Sequence, residues 1–246
     1  MSSSQSSNPV FSKATIARVK QNATSTDTMT VNGSLSKTAF LLALLIGFGA
    51  YTWNIVSTNP TKALSLVLWA SLIGFITTMI IIFKKPSPVL ASVYAISQGI
   101  VMGGISFLFN DSYQGIVLQA ITITIAITLA MLVLYKTGVI KVTQKFKSAV
   151  ILATVGILFF YIITWLVGLF SPSFYDFVTV GTSGVVIALL IVLIAALNLI
   201  LDFDFIDQGS KKQLPKEFEW FAAFGLMVTL IWLYISILRM LFASRH

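Results

Sequence analysis

Residues 178–209 read VTVGTSGVVIALLIVLIAALNLILDFDFIDQG, an apolar run closing on three carboxylates, Asp202, Asp204 and Asp207. The run exceeds the ~20 residues a helix needs to cross hydrocarbon. A carboxylate at the edge of hydrocarbon costs about 2–4 kcal/mol unless paired or hydrated. If the helix ends near residue 206, the negative end of its macrodipole repels the same anions. Glu217 and Glu219 follow, so five of the chain's eight acids lie between positions 202 and 219. An acid kept against two penalties is a functional-site candidate.

Composition sets the class. Of the 246 residues 57% are hydrophobic and only 10% charged, against roughly 25% charged in a soluble domain. The chain therefore reads as an all-α, multi-pass membrane protein whose first partner is the lipid bilayer. Its net charge of +8 comes from lysines and arginines in short loops, without aromatic-interleaved basic patches, so no nucleic-acid partner is expected. The absence of cysteine excludes disulfides, thiolate metal sites and cysteine nucleophiles. The one histidine, His246, is the last residue and reads as a chain end. Residues 1–37 are polar, carry no signal-peptide pattern, and are expected to form a flexible cytoplasmic tail. Two short apolar-containing pieces within it, 8–13 and 28–33, are candidates for docking on the bundle.

Seven segments reach spanning length: about 38–57, 63–83, 88–109, 115–135, 148–170, 178–206 and 218–242. Residues 38–246 then form one seven-helix domain. Gly99 and Gly103, four apart in the third segment, share a face and permit close helix contact. The threonines of the fourth, Thr122, Thr124 and Thr128, can bond back to their own helix. Lysines and arginines gather before the first segment and in the loops after the second, fourth and sixth. The other loops hold only Lys62, Asp111 and Asp176. The positive-inside rule makes the N-terminus cytoplasmic and the C-terminus outside.

Among the polar residues, Asn198 and Asp202 are four apart and share a helix face. Asp204 lies roughly 200° around the helix from Asp202, so one of the two at most faces a common cavity. Asp202 is the candidate for the bundle interior; Asp204 and Asp207 are expected to meet the lysines of the cytoplasmic loop. Burial in a low dielectric disfavours a charged carboxylate, so proton uptake there can bias two helix arrangements. Ionised, it attracts hard cations such as Ca²⁺, which makes Asp202 a weak metal contact built in the bundle. Glu219 opens the last segment, where a helix N-terminus favours an acid. Arg239 is expected to snorkel to headgroups. Enzyme readings fail: hydrolase, zinc-protease, P-loop and dinucleotide motifs are missing. No cofactor is expected beyond Ca²⁺ as a transported ion.

The combination of NPVFS, TMTVNG with Lys37-Thr38, PSPVLASVYAISQGIVMGGIS, NLILDFDFIDQG and EWFAAFGLMVTLIWLYISILR resembles the Bax inhibitor-1 (YccA-like) family, in its bacterial branch. That resemblance implies a seven-helix bundle with the C-terminal helix central, a place in the cell membrane and a pH-sensitive calcium leak. It further implies an aspartate pair from the sixth and seventh helices as the pH sensor, whose first member falls on Asp202. The second falls on Thr229, which does not ionise, and the second segment lacks the family's latching basic residue. Acids are also expected where this chain has Gln98 and Ser236. Three functions follow as expectations. The first is a passive, pH-modulated leak for calcium or another cation, with Asp202 as gate or ion contact and Asn198, Asp204, Thr229 and Glu219 around it. The second is a non-conducting regulator that binds a partner such as a membrane protease. The third is a proton-coupled transporter.

Overall fold

The computed structural model of the chain describes residues 27–83 and 87–245. It contains α1 (Val31–Thr58), α2 (Pro60–Phe83), α3 (Pro88–Ser112), α4 (Ile116–Lys136), α5 (Gln144–Gly168), the short α6 (Pro172–Thr179), α7 (Gly181–Lys211) and α8 (Phe218–Ala243). All except α6 are long and apolar enough to cross a membrane. At eight residues, about 12 Å of helix, α6 cannot.

Local chemistry sets the helix ends. Thr30 caps α1, its Oγ1 accepting from Gly33 N at 3.0 Å, and Thr143 caps α5 through Phe146 N at 3.2 Å. Gly115 (φ +82) precedes α4 in a left-handed conformation that suits glycine. The N-cap signal moves the start of α1 to Val31, seven residues ahead of the hydropathy boundary at 38. Residues 31–37 are thus helical. The apolar piece 8–13 lies outside the described residues. At the other acid-bearing end, α7 continues to Lys211. Asp202 is therefore well inside the helix, beyond the last turn to which the macrodipole penalty is confined. The expected C-terminal placement of that acid is corrected accordingly.

The last helix holds the bundle together. Ala222, Leu226, Leu233, Ile237 and Leu238 of α8 join one apolar core with α7 and α4. Ala223, Phe224, Met227 and Ile231 join a second with α1 and α3. A helix apolar on every side belongs in the middle. Between α1 and α3 the contact is backbone on backbone: a Cβ at Gly99 would stand 2.5 Å from Leu45 O, and one at Gly103 would strike Gly49 O. This is the small-residue packing expected of the third segment. Elsewhere the bundle turns large side chains outward, among them Trp69, Phe75, Leu152, Phe159 and Leu189. Such a surface suits hydrocarbon and not water.

A short strap precedes α1. Thr28 forms an antiparallel bridge with Pro215, Met29 N donates to Leu214 O at 2.7 Å, and Lys216 N donates to Asp27 O at 3.1 Å. Met29 is 1% exposed and fills the space left by Gly209, where a Cβ would come within 2.7 Å of its sulfur. The piece 28–33 does dock, on the loop between α7 and α8.

Candidate functional site

The strap end of the bundle gathers the acids, and nearly all of them are matched. Glu219, in the first turn of α8, is 1% exposed. Its Oε1 accepts from Thr30 N at 2.8 Å and from Thr30 Oγ1 at 2.9 Å, and its Oε2 pairs with Lys37. The space it occupies exists because residue 33 is glycine; a Cβ there would overlap the carboxylate. Glu219 is thus the anchor that ties α1 to α8, with every oxygen engaged.

Asp204 is 7% exposed and forms an ion pair with Lys147 of α5 at 2.5 Å. Asp207 accepts from Lys211, one turn on, at 2.6 Å and from Tyr135 Oη of α4 at 3.2 Å. Both meet lysines at the loop end as expected, but Asp204 does so inside the packed structure. Asp27 pairs with Lys216 at 2.9 Å on the strap. That lysine holds the exposed Asp27 carboxyl below its ordinary 3.8, first by hydrogen bond and then by charge. In return Asp27 raises the Lys216 ammonium above 10.5.

Asp202 differs. The residue is half-buried, but its Oδ2 is closed off from solvent and no protein donor reaches it. The side chain turns towards α8, where a Cβ at Gly225 would stand 3.8 Å from Oδ1. Thr229 is the polar side chain that faces it across the helix pair, and the Thr229 hydroxyl donates to Gly225 O at 3.3 Å. An unsatisfied buried acceptor costs roughly 1–3 kcal/mol, more when charged. Asp202 alone among the α7 acids has no lysine.

Asn198 does not stand behind Asp202. Its Nδ2 donates to Thr154 Oγ1 of α5 at 2.8 Å and to Ile194 O at 2.9 Å, so it bridges α7 to α5. One face at i and i+4 still spans about 40° of arc, enough for the two side chains to take different neighbours. The structure therefore brings Asp202 and Thr229 together, and assigns Asn198, Asp204 and Glu219 to separate contacts. Among the described residues no three acidic or histidine side chains converge on one point. A cation at Asp202 would find that one carboxylate, with hydroxyl and carbonyl oxygens from α8.

Sequence reasoning missed Lys147, Lys37 and Thr154 as partners. For Lys37 a signal was present, since Lys37-Thr38 stands beside the TMTVNG piece. For Lys147 and Thr154 none separates them from neighbouring loop lysines and helix threonines.

A family model described as Bax inhibitor 1 like matches residues 8–246. No curated protein matches the chain.

Proposed function

The chain belongs to the Bax inhibitor 1 like family, and from that premise we propose that it is a multi-pass membrane protein providing a passive leak for calcium or a similar cation. Asp202 is its gate and ion contact. One observation carries this reading: Asp202 Oδ2 is buried between α7 and α8 without a donor, while Asp27, Asp204, Asp207 and Glu219 each have a lysine. A carboxylate that only held helices together would be expected to have a cationic partner, because a buried one without it costs stability. With Oδ2 unmatched and only the neutral Thr229 hydroxyl beside the carboxyl, Asp202 can exchange a proton or meet a passing cation. Either event changes the charge at the α7–α8 contact and favours one packing of the two helices over another. Thr229 supplies a neutral hydroxyl opposite, so the change in charge rests on one acid. By the positive-inside rule the lysine-rich strap end faces the cytoplasm. With no native cysteine, a single one at position 244 should react with an impermeant reagent from outside.

Calcium entry into proteoliposomes tests the leak. Wild type should exceed empty vesicles, and Asp202→Asn should change the flux and remove its dependence on pH. Equal flux for wild type, variant and empty vesicles would reject the leak and favour a non-conducting regulator.

A further inference from the structure

We infer that the cavity between α5, α7 and α8, at the end where α8 finishes, binds an amphiphile with one hydrocarbon chain and one anionic headgroup. The cavity has a volume of about 630 Å³ and is lined by Phe160, Tyr161, Thr164, Ile187, Ser236 and Arg239, among others. That is the size of a site for one small ligand (~300–1,000 Å³). Among the described residues no carboxylate lines it.

Two polar side chains on its wall, exposed Arg239 and buried Thr164, make no hydrogen bond to another described residue. Arg239 reaches across from α8 so that its guanidinium lies 5.4 Å from the Tyr161 ring centroid on α5. Among the described residues no acid pairs with it. Arg239 is exposed near the end of α8, as a snorkelling side chain would be, and its guanidinium borders the cavity. Arg245, by contrast, both lies over Tyr113 and donates to Gln119 Oε1 at 2.9 Å. The second group is Thr164, 6% exposed, whose Oγ1 is buried with no hydrogen-bond partner. Its neighbours behave otherwise: Thr154 bonds back to Val150 O at 2.9 Å and Ser236 to Trp232 O at 2.8 Å.

Charge and shape select the occupant. A cation entering here would meet the Arg239 guanidinium. A neutral alkyl chain would fill the apolar wall but bring no anion to Arg239 and no partner to Thr164 Oγ1. An anionic head satisfies both, because a guanidinium offers five donors in a fork that matches a carboxylate. Access from the bilayer runs past Trp165, which lines the cavity and is 64% exposed. The volume accommodates one chain, so the site is assigned to a fatty-acid-like ligand and not to a diacyl lipid. This assignment does not depend on the leak.

The test uses the purified full chain in nanodiscs of zwitterionic lipid, labelled with a diazirine analogue of palmitic acid and, separately, with the matching alcohol. The acid should crosslink to peptides carrying Tyr161, Thr164 or Ser236, and oleate should compete. Arg239→Gln should lower capture at least about tenfold through loss of a charge-assisted hydrogen bond, with Arg239→Lys restoring part of it. Ala188→Trp, which fills the cavity, should abolish labelling there. Equal capture of acid and alcohol by the wild type would overturn the proposal, whether or not the variants fold. So would labelling indifferent to Arg239→Gln, or competition by phosphatidylglycerol as effective as by oleate.

Discussion

Glu219 and Thr30 lie 189 residues apart and meet through two hydrogen bonds, backbone N to Oε1 at 2.8 Å and Oγ1 to the same oxygen at 2.9 Å. The N-cap of the first spanning helix is thereby held by the first turn of the last. With Lys37 on the other oxygen, one acid closes the strap end of the bundle. Glu219→Ala leaves Lys37 and the Thr30 amide without their acceptor. Breaking a buried pair costs about 3–5 kcal/mol, which should lower the thermal midpoint in detergent by roughly 6–20 °C for a chain of this size. Thr30→Ala removes only the hydroxyl and should cost about 1 kcal/mol. Differential scanning fluorimetry on both variants checks the order.

The glycines divide into those that need to be glycine and those that do not. Gly103→Ala drives a methyl into the Gly49 carbonyl and should destabilise by about 1–3 kcal/mol. Gly47→Ala, in the middle of α1 with nothing within 4 Å, should instead stabilise by about 0.5–1 kcal/mol through helix propensity. Thermal midpoints of opposite sign are the expected result.

Two lysine–aspartate pairs on α7 should differ in weight. Lys147→Ala strands the nearly buried Asp204 and should cost about 3 kcal/mol or more. Lys211→Ala touches a pair with a largely exposed lysine, worth about 0.5 kcal/mol or less. A double-mutant cycle with Asp204→Asn and Asp207→Asn gives the two coupling energies directly.

The strap should hold across neutral pH. Asp27 has its pKa depressed by Lys216, so its contribution is present above its unfolded value of 3.8 and is lost as pH falls through the lower folded value. Lys216 has its pKa raised, so its contribution is present below 10.5 and is lost as pH rises beyond that. Between those limits the Asp27–Lys216 pair stays charged. Hydrogen exchange at Met29 and Lys216, corrected for intrinsic rates, should therefore show constant protection from pH 5 to pH 8. Protection collapsing inside that range would mean that another group controls the strap.

The amino-acid sequence alone determined the class and the count: seven stretches of sufficient length and hydropathy, joined by short loops with lysines gathered on one side. Those properties are local sums over neighbouring residues, and no partner is needed to evaluate them. The glycine face of α3 and the back-bonding threonines of α4 were legible for the same reason, since each depends on spacing along one helix. It also singled out Asp202, because an acid in so apolar a run stands out without any knowledge of its surroundings. Only the tertiary structure decided which acids are matched. Asn198 turned to Thr154, Asp204 to Lys147 and Glu219 to Thr30 and Lys37, leaving Asp202 Oδ2 without a donor. A side chain's partner is set by which helices lie beside it and how each is rotated, and packing of the whole bundle fixes that where residue order cannot.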